Sequence, residues 1–398
     1  MAGPLAGIKV VELAQIMAGP TCGMLLADMG ADVIKVEKLP GGDDTRSYTE
    51  PSIHGESAAF MMLNRNKRGM AVNLKTPGGL EAVKRLLAGA DVVTENYRKG
   101  TLEKLGLGYE VLQKLNPRLV YCVVSGYGRT GPYADKGGFD LIAQGFAGLM
   151  SVTGEPGAPP AKAGTPIADI NAGMFAALGI VSALFARVQT GRGQMVETSL
   201  MEAAVHQMQW QSAIYFATGK NPGPSGSAHI LTAPYQAFPT ADGWINVGGA
   251  NQANWERIVK AIGRPELASD ERFRTNGDRM RNLGALTPLI AERLRTRASA
   301  EWVQEFEAVG VPVGPVNRVG DMLADPQVQA REMVVEVEHP RAGKTKALGH
   351  PVKFSETPTS VERAAPVLGE HTREVLGGLG YSDTEIDRLH AEGAVFCA

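Results

Sequence analysis

The sequence predicts an α/β protein: a doubly wound parallel sheet in a large domain, with a smaller α/β second domain. Three observations carry this. Short apolar, β-branched stretches alternate with helical ones from the start of the chain. The first strand–helix–strand unit closes within about 30 residues, the length of a parallel crossover. The 398 residues also exceed what a single hydrophobic core usually serves.

Residues 8–13, IKVVEL, read as the first strand. Ala18-Gly19-Pro20 turns the chain into a helix over 21–29, with Pro20 suited to the first helical turn and Gly30 ending it. Val33-Ile34-Lys35-Val36-Glu37 forms the second strand. The pattern then repeats: a strand at 71–74, a helix over 77–90, and strands at 91–94 and 119–124. A long apolar helix follows near 171–189, and Gly191-Arg192-Gly193-Gln194 turns into a strand at 195–198. One helix is expected over roughly 200–217, and the Gly-, Pro- and Ser-dense stretch 218–232 reads as a linker. Beyond it come a strand at 244–247 and an amphipathic helix over 254–262, stopped by Gly263 and Pro265. Further helices are expected at 287–296 and 300–309, and one opens after Leu368-Gly369-Glu370-His371. The domain expectation is therefore a large domain over 1–217, a small one over 225–325, and a return to the first over 326–398.

Lys plus Arg number 40 against 42 Asp plus Glu, a net charge of −2. No basic field points to nucleic acid and no polybasic block to a membrane surface. Cys22, Cys122 and Cys397 form neither a CxxC nor a cysteine–histidine pattern, so a reduced compartment without a structural metal is expected. Lys9 and Glu12 interrupt the first apolar segment, unlike a secretory signal. The longest apolar run, 172–186, spans about 15 residues and is short for a bilayer. A cytoplasmic location is the expectation.

Glu37 sits where a dinucleotide-binding acid would, but the turn reads Ala18-Gly19-Pro20-Thr21-Cys22-Gly23 without a GxGxxG fingerprint. Lys38, Arg46, Lys75, Arg98, Lys104 and Lys136 fall at strand ends and loops, where an open α/β sheet binds ligands. Each alone is also an ordinary surface charge, yet Lys38, Lys75 and Arg98 follow strands closely enough to converge on an anion such as a phosphate. In GTPIADINAGM, residues 164–174, Asp169 reads equally as a helix cap or as a nucleophilic carboxylate beside open backbone N–H groups. Asn171 offers an alternative cap. Asp140, in Gly138-Phe139-Asp140, is a second loop carboxylate, and Tyr127-Gly128-Arg129 reads as a site wall. No GxSxG anchors a serine triad.

Several of these motifs resemble the class III CoA-transferases. They include Ala18-Gly19-Pro20, Gly30-Ala31-Asp32-Val33-Ile34-Lys35-Val36-Glu37, Gly42-Asp43 with Arg46, and Asn64-Arg65-Asn66-Lys67-Arg68. Glu95-Asn96-Tyr97, Gly126-Tyr127-Gly128, Asp169 with Gly173-Met174, Thr190-Gly191-Arg192-Gly193-Gln194 and Leu368-Gly369-Glu370-His371-Thr372 complete the set, in consistent order over the whole chain. The resemblance implies a two-domain α/β fold, an interlocked homodimer, and Asp169 as the residue that forms an aspartyl anhydride and then an aspartyl-CoA thioester. It implies coenzyme A as co-substrate, no tightly bound cofactor, and a small carboxylic acid as acceptor. Contacts to CoA carry over to Gln15, Ala18, Lys38, Val72, Asn73, Lys75, Asn96, Tyr97, Arg98, Lys104, Lys136 and Phe139. Gly226, His229 and Asp140 are the candidate contacts to the acyl substrate, with an exposed loop histidine without a role as the other reading of His229 and a helix cap as that of Asp140. Lys38 and Lys104 stand where some relatives have Arg, which keeps the charge but not the bidentate geometry. Related racemases need a histidine where this chain has Phe139, and phenylalanine moves no proton. A racemase-like isomerase and a non-catalytic acyl-CoA-binding protein stand as the alternatives. The short Gly226-Ser227-Ala228-His229 segment, with Pro234-Tyr235-Gln236-Ala237-Phe238, looks like the succinyl-CoA-dependent dicarboxylate branch.

Overall fold

The computed structural model describes residues 3–398. It resolves into two compact units, one comprising residues up to 149, 162–213 and 326–398, the other 150–161 and 214–325. The short piece 150–161 belongs to the second unit, which its place in the chain does not signal.

The first unit is built on a seven-stranded sheet. Its strands are β1 (Lys9–Leu13), β2 (Asp32–Lys38), β3 (Arg68–Val72), β4 (Val92–Glu95), β5 (Val120–Ser125), β6 (Met195–Ser199) and β7 (Val395–Phe396). Spatial order is β7-β3-β2-β1-β4-β5-β6, parallel throughout except for β7, which runs antiparallel to β3. The six parallel strands thus follow the 3-2-1-4-5-6 order of a doubly wound sheet.

Alternate side chains of each strand enter different cores. Val11, Leu13, Ile34, Val36 and Met70 pack beneath helix α2 (Pro77–Ala88) with Val375, Leu376, Ile386 and Leu389 from the last stretch of chain. Val10, Val33, Val92, Val120 and Cys122 face the other way, against α1 (Ala18–Asp28) and α4 (Ile167–Thr190). Helices α3 (Asp140–Phe146) and α5 (Leu200–His206) complete that layer. Covered on both faces, the central strands are rich in buried apolar residues, with Glu12, Lys35, Glu37 and Glu95 as buried charges among them.

Helices depart from the sequence expectation by a few residues at several ends, the one expected at 287–296 running from Leu283 to Leu294, and three differences bear on the fold. Helix α1 begins at Ala18, so Pro20 is its third residue, still within the turn whose N–H groups lack helical partners. The single helix expected over 200–217 is two, α5 and Gln209–Thr218. Helix α4 has 24 residues, longer than the apolar run of 172–186, and by length and composition alone could cross a membrane. Its inner face, Ala172, Ala176, Ile180 and Ala183, is instead buried against α1 and the sheet. Small residues let the two helices approach closely: a Cβ on Gly173 would lie 2.7 Å from the Ala18 carbonyl oxygen and 2.7 Å from Thr21 Cβ.

The second unit carries an antiparallel three-stranded sheet of Tyr235–Pro239, Trp244–Gly248 and Val313–Pro315. Helices Gln252–Ala261, Leu283–Leu294 and Ser299–Ala308 accompany it, and Trp255, Phe273, Leu286, Trp302 and Phe306 form its core. Residues 219–234 contain neither helix nor strand.

Because Gly173 faces backbone as well as side chain, overpacking there has little room to relax. Gly173→Ala is expected to lower the unfolding free energy by about 1–3 kcal/mol in urea denaturation.

Candidate active site

In the first unit, β1, β2, β4 and β5 all end on one side of the sheet, and their following loops surround a cleft of about 380 Å³. Ligands of open α/β sheets bind at this carboxyl edge. Gln15, Ile16, Met17 and Ala18 supply the wall after β1, Asn96 to Lys99 that after β4, and Ser125, Gly126 and Arg129 that after β5. The loop 134–139 and Asp169 complete it.

Asp169 is the third residue of α4, not its cap; the cap position is Pro166, which has no side chain to offer an N–H group. Asn171, the other candidate cap, is buried within the helix. The capping group comes from elsewhere. Asp140, first residue of α3, accepts the Ala168 N–H at 2.9 Å and the Asp169 N–H at 3.5 Å through Oδ1. Gln144 Nε2 donates to its Oδ2 at 2.6 Å, while Gln144 Oε1 accepts the Ala163 N–H at 2.9 Å. Asp140 is therefore fixed at the positive end of α4, where negative charge is favoured.

This placement has an electrostatic consequence. Burial, and secondarily the neighbouring Asp140 charge, push the Asp169 carboxyl up to about 7. Among the described residues no hydrogen bond to its carboxylate offsets that burial. Of two adjacent acids, one serves the helix end and the other is left poorly solvated in the cleft.

Beside Asp169 the loop after β1 is tied at two points. The Asn96 side chain accepts the Gln15 N–H at 3.0 Å and donates to the Gln15 carbonyl at 2.8 Å. The Ile16 N–H donates to both carboxylate oxygens of Asp43, at 3.1 and 3.2 Å. Behind it lies a cluster of charges out of contact with water. Lys35 Nζ is 2.9 Å from Glu12 Oε1 and 2.8 Å from Asp43 Oδ2, and Lys67 Nζ is 2.8 Å from Glu12 Oε2.

Gln15, Ala18, Asn96, Tyr97, Arg98, Lys136, Phe139 and Asp169 line the cleft. Lys38 does not line it; its ammonium pairs with Asp44, a lining residue, and reaches Gln15 Oε1 at 3.4 Å. Val72, Asn73, Lys75, Lys104 and Asp140 also lie outside the lining. Arg46, another strand-end cation, binds Glu37 at 2.6 Å and covers the Phe60 ring. Gly226 and His229 belong to the second unit, where the His229 ring stacks on Tyr235 with centroids 5.2 Å apart. Sequence reasoning missed Ile16, Asp44 and the pairing of Arg129 with Glu95. Burial pushes Glu95 up to about 7 against the pull of the Arg129 guanidinium. No group of three His, Cys, Asp or Glu side chains suited to a metal ion occurs among the described residues.

Residues 5–372 match the profile of CoA-transferase family III. A succinate–glutarate CoA-transferase of Agrobacterium fabrum is 41% identical over 382 residues, covering 94% of this chain and 96% of that protein. Succinyl-CoA:glutarate CoA-transferase of Mus musculus is 38% identical over 393 residues, covering 98% and 90% respectively. Among solved structures, a CAIB/BAIF family protein from Brucella suis superposes with a TM-score of 0.87 at 41% identity, covering 95% of this chain and all of that one.

The raised carboxyl of Asp169 links stability to pH. The folded state holds its proton more tightly than the unfolded state, whose ordinary value is 3.8. That contribution to stability is whole below about pH 4 and is lost as pH rises through about 7. Asp169→Asn cannot ionise, so it is expected to unfold with on the order of 2 kcal/mol more free energy than wild type at pH 8. The difference should fade toward pH 4 in denaturation curves measured across this range.

Proposed function

The chain belongs to CoA-transferase family III and is a transferase; on that premise we propose that Asp169 carries CoA between an acyl-CoA and a small carboxylic acid. The observation that supports this reading is Asp169 itself, a carboxylate in the cleft with its partner acid spent on capping the helix. The burial that raises its pKa also leaves the ionised form weakly solvated, which favours nucleophilic attack.

In the proposed cycle the Asp169 carboxylate attacks the acyl-CoA thioester carbonyl, the C–S bond breaks, and CoA leaves as thiolate from a mixed anhydride. The thiolate then attacks the aspartyl carbonyl, the donor acid departs as its carboxylate, and an aspartyl-CoA thioester remains. An acceptor carboxylate attacks that thioester, re-forming an anhydride and thiolate. Attack of the thiolate on the acceptor acyl carbon yields the new acyl-CoA and restores Asp169. Each step exchanges one anion for another, so no net proton is taken up. Because Asp169 must be ionised, transfer rises as pH passes upward through about 7.

Arg98 and Lys136 at the cleft suit CoA phosphates, with Asn96 and Tyr97 on the same loop. Lys38, Val72, Asn73, Lys75 and Lys104 are assigned to CoA on family resemblance, and Asp140, Gly226 and His229 to the acyl substrate. A succinyl-CoA donor and a dicarboxylic acceptor such as glutarate follow from what the relatives' names state. Phe139 sits where a racemase needs an acid or base, which disfavours isomerase chemistry. The exposed outer face of α4, with Leu178, Phe185 and Val188, supports association of two copies, since apolar patches of this kind mark interfaces. Sedimentation velocity is expected to give a dimer; a monomer at micromolar concentration would remove that part of the reading.

Asp169→Ala is expected to lose about 10³-fold or more in CoA transfer from succinyl-CoA to glutarate. Wild-type protein incubated with succinyl-CoA should carry CoA on Asp169 by peptide mass spectrometry. An alanine variant that transfers CoA at the wild-type rate would show the nucleophile to be elsewhere.

A further inference from the structure

Ile16 has a backbone φ of +70°. Left-handed backbone is the province of glycine, and a β-branched residue adopts it only where its surroundings compel it. Among the described residues the other non-glycine positions with positive φ are His54, Asn66 and Glu332. None of these is β-branched and none lines the cleft; Ile16 does both. Strain of this kind concentrates at working sites because the surroundings hold it there.

We propose that Asp43 is a positioning residue for CoA transfer, acting through the backbone of Ile16 to set the wall of the cleft beside Asp169. Asp43 is 3% exposed and does not line the cleft itself. Its carboxylate accepts from the Ile16 N–H at 3.1 and 3.2 Å, the Thr45 N–H at 2.9 Å, the Thr45 hydroxyl at 2.8 Å and the Lys35 ammonium at 2.8 Å. Every one of these partners is a donor. A carboxylate satisfies all of them, whereas an amide of the same shape must turn its NH₂ toward either Lys35 or the Ile16 and Thr45 groups. With Asn96 holding Gln15 on the other side, Ile16 cannot relax toward ordinary φ while both ties persist. The left-handed turn sends residues 15–17 along the cleft and delivers the chain into α1 at Ala18.

Asp43 also balances Lys35, so an ordinary loss of stability has to be separated from a loss of positioning. This proposal rests on the reading of Asp169 as the carrier of CoA, and the experiment separates the two. Wild type, Asp43→Asn and the double variant Ile16→Gly with Asp43→Asn are assayed for succinyl-CoA:glutarate transfer on folded protein. Asp43→Asn is expected to lower kcat about 10- to 100-fold through misplacement of the wall, with KM for succinyl-CoA within roughly threefold of wild type. Glycine takes φ near +70° without strain, so the double variant should regain roughly fivefold in kcat over Asp43→Asn. A purely structural role predicts a lower melting temperature, unchanged kcat on folded protein and no such rescue; either unchanged kcat or absent rescue overturns the proposal. If Asp43→Asn does not fold, Ile16→Pro carries the test, since it forbids the positive φ and removes the N–H while leaving the buried charges in place. Wild-type kcat in Ile16→Pro equally overturns it. A wild type that transfers no CoA withdraws the CoA-transferase reading and this proposal with it, an outcome distinct from an active wild type with equally active variants.

Discussion

Two ammonium groups and two carboxylates, shut away from water between β1, β2 and the segments that flank them, hold the first unit in the form its cleft requires. Burial works against the Lys35 ammonium, yet the charges of Glu12 and Asp43 raise it overall. Lys67 shares Glu12 and comes out the other way, lowered to about 8 because burial prevails. Asp43, despite its own burial, is held at about 2 by Lys35 and by the hydrogen bonds from Thr45. Such a group is tolerated only while every member has its partner; breaking one pair leaves an uncompensated buried charge. The cluster reaches beyond its own strands. Lys67 Nζ also donates to the Pro20 carbonyl at 2.9 Å, tying down the first turn of α1, and Lys35 Nζ donates to the Ala14 carbonyl at 2.9 Å. Gly23 completes the fit, because a Cβ there would lie 1.8 Å from Glu12 Oε2.

From that base the cleft divides its acids by task. Asp140 faces N–H groups and a glutamine amide, Glu95 faces Arg129 and the Tyr97 N–H, and Asp169 faces none of these. The acyl-carrier role proposed for Asp169 needs a carboxylate whose lone pairs are not already committed to donors. Of the cations that line the cleft, Arg98, Lys99, Arg129 and Lys136, none among the described residues forms an ion pair with Asp169, and Arg129 is taken by Glu95.

Much of this architecture was legible in the sequence, for identifiable physical reasons. Strands buried on both faces are rich in β-branched apolar residues, so β1, β2, β4 and β5 stood out. Helix α4 announced itself by its length of small and apolar residues. Asp169 stood out as a carboxylate at a helix start, but its role as cap or nucleophile was undecidable from residue types. That the cap is another residue required Asp140, which reaches Ala168 across 28 positions of sequence, and local pattern does not encode a pairing at that range. The break at 207–208 was invisible because Met, Gln and Ala favour a continuous helix. The burial of Lys35 and Lys67 was not legible, since burial of a lysine depends on acids supplied by distant segments. Ile16 gave no sign at all. A β-branched residue is the last that composition would assign to a left-handed turn, and the compulsion comes from Asp43, again outside the local window.

The sheet's far edge shows what this wiring means while the protein is being made. Residues 395–396 pair with 71–72, the Ala394 carbonyl accepts the Asn73 N–H, and the Thr372 hydroxyl accepts the Ala71 N–H. Synthesis proceeds from the other end, so β3 leaves the ribosome with that edge bare and stays so while the second unit is translated and folds. An unpaired, apolar strand edge is the feature that recruits wrong partners. Closure of that edge is thus postponed until residues 372–396 have been made, and a chain that stops short of them keeps an open flank.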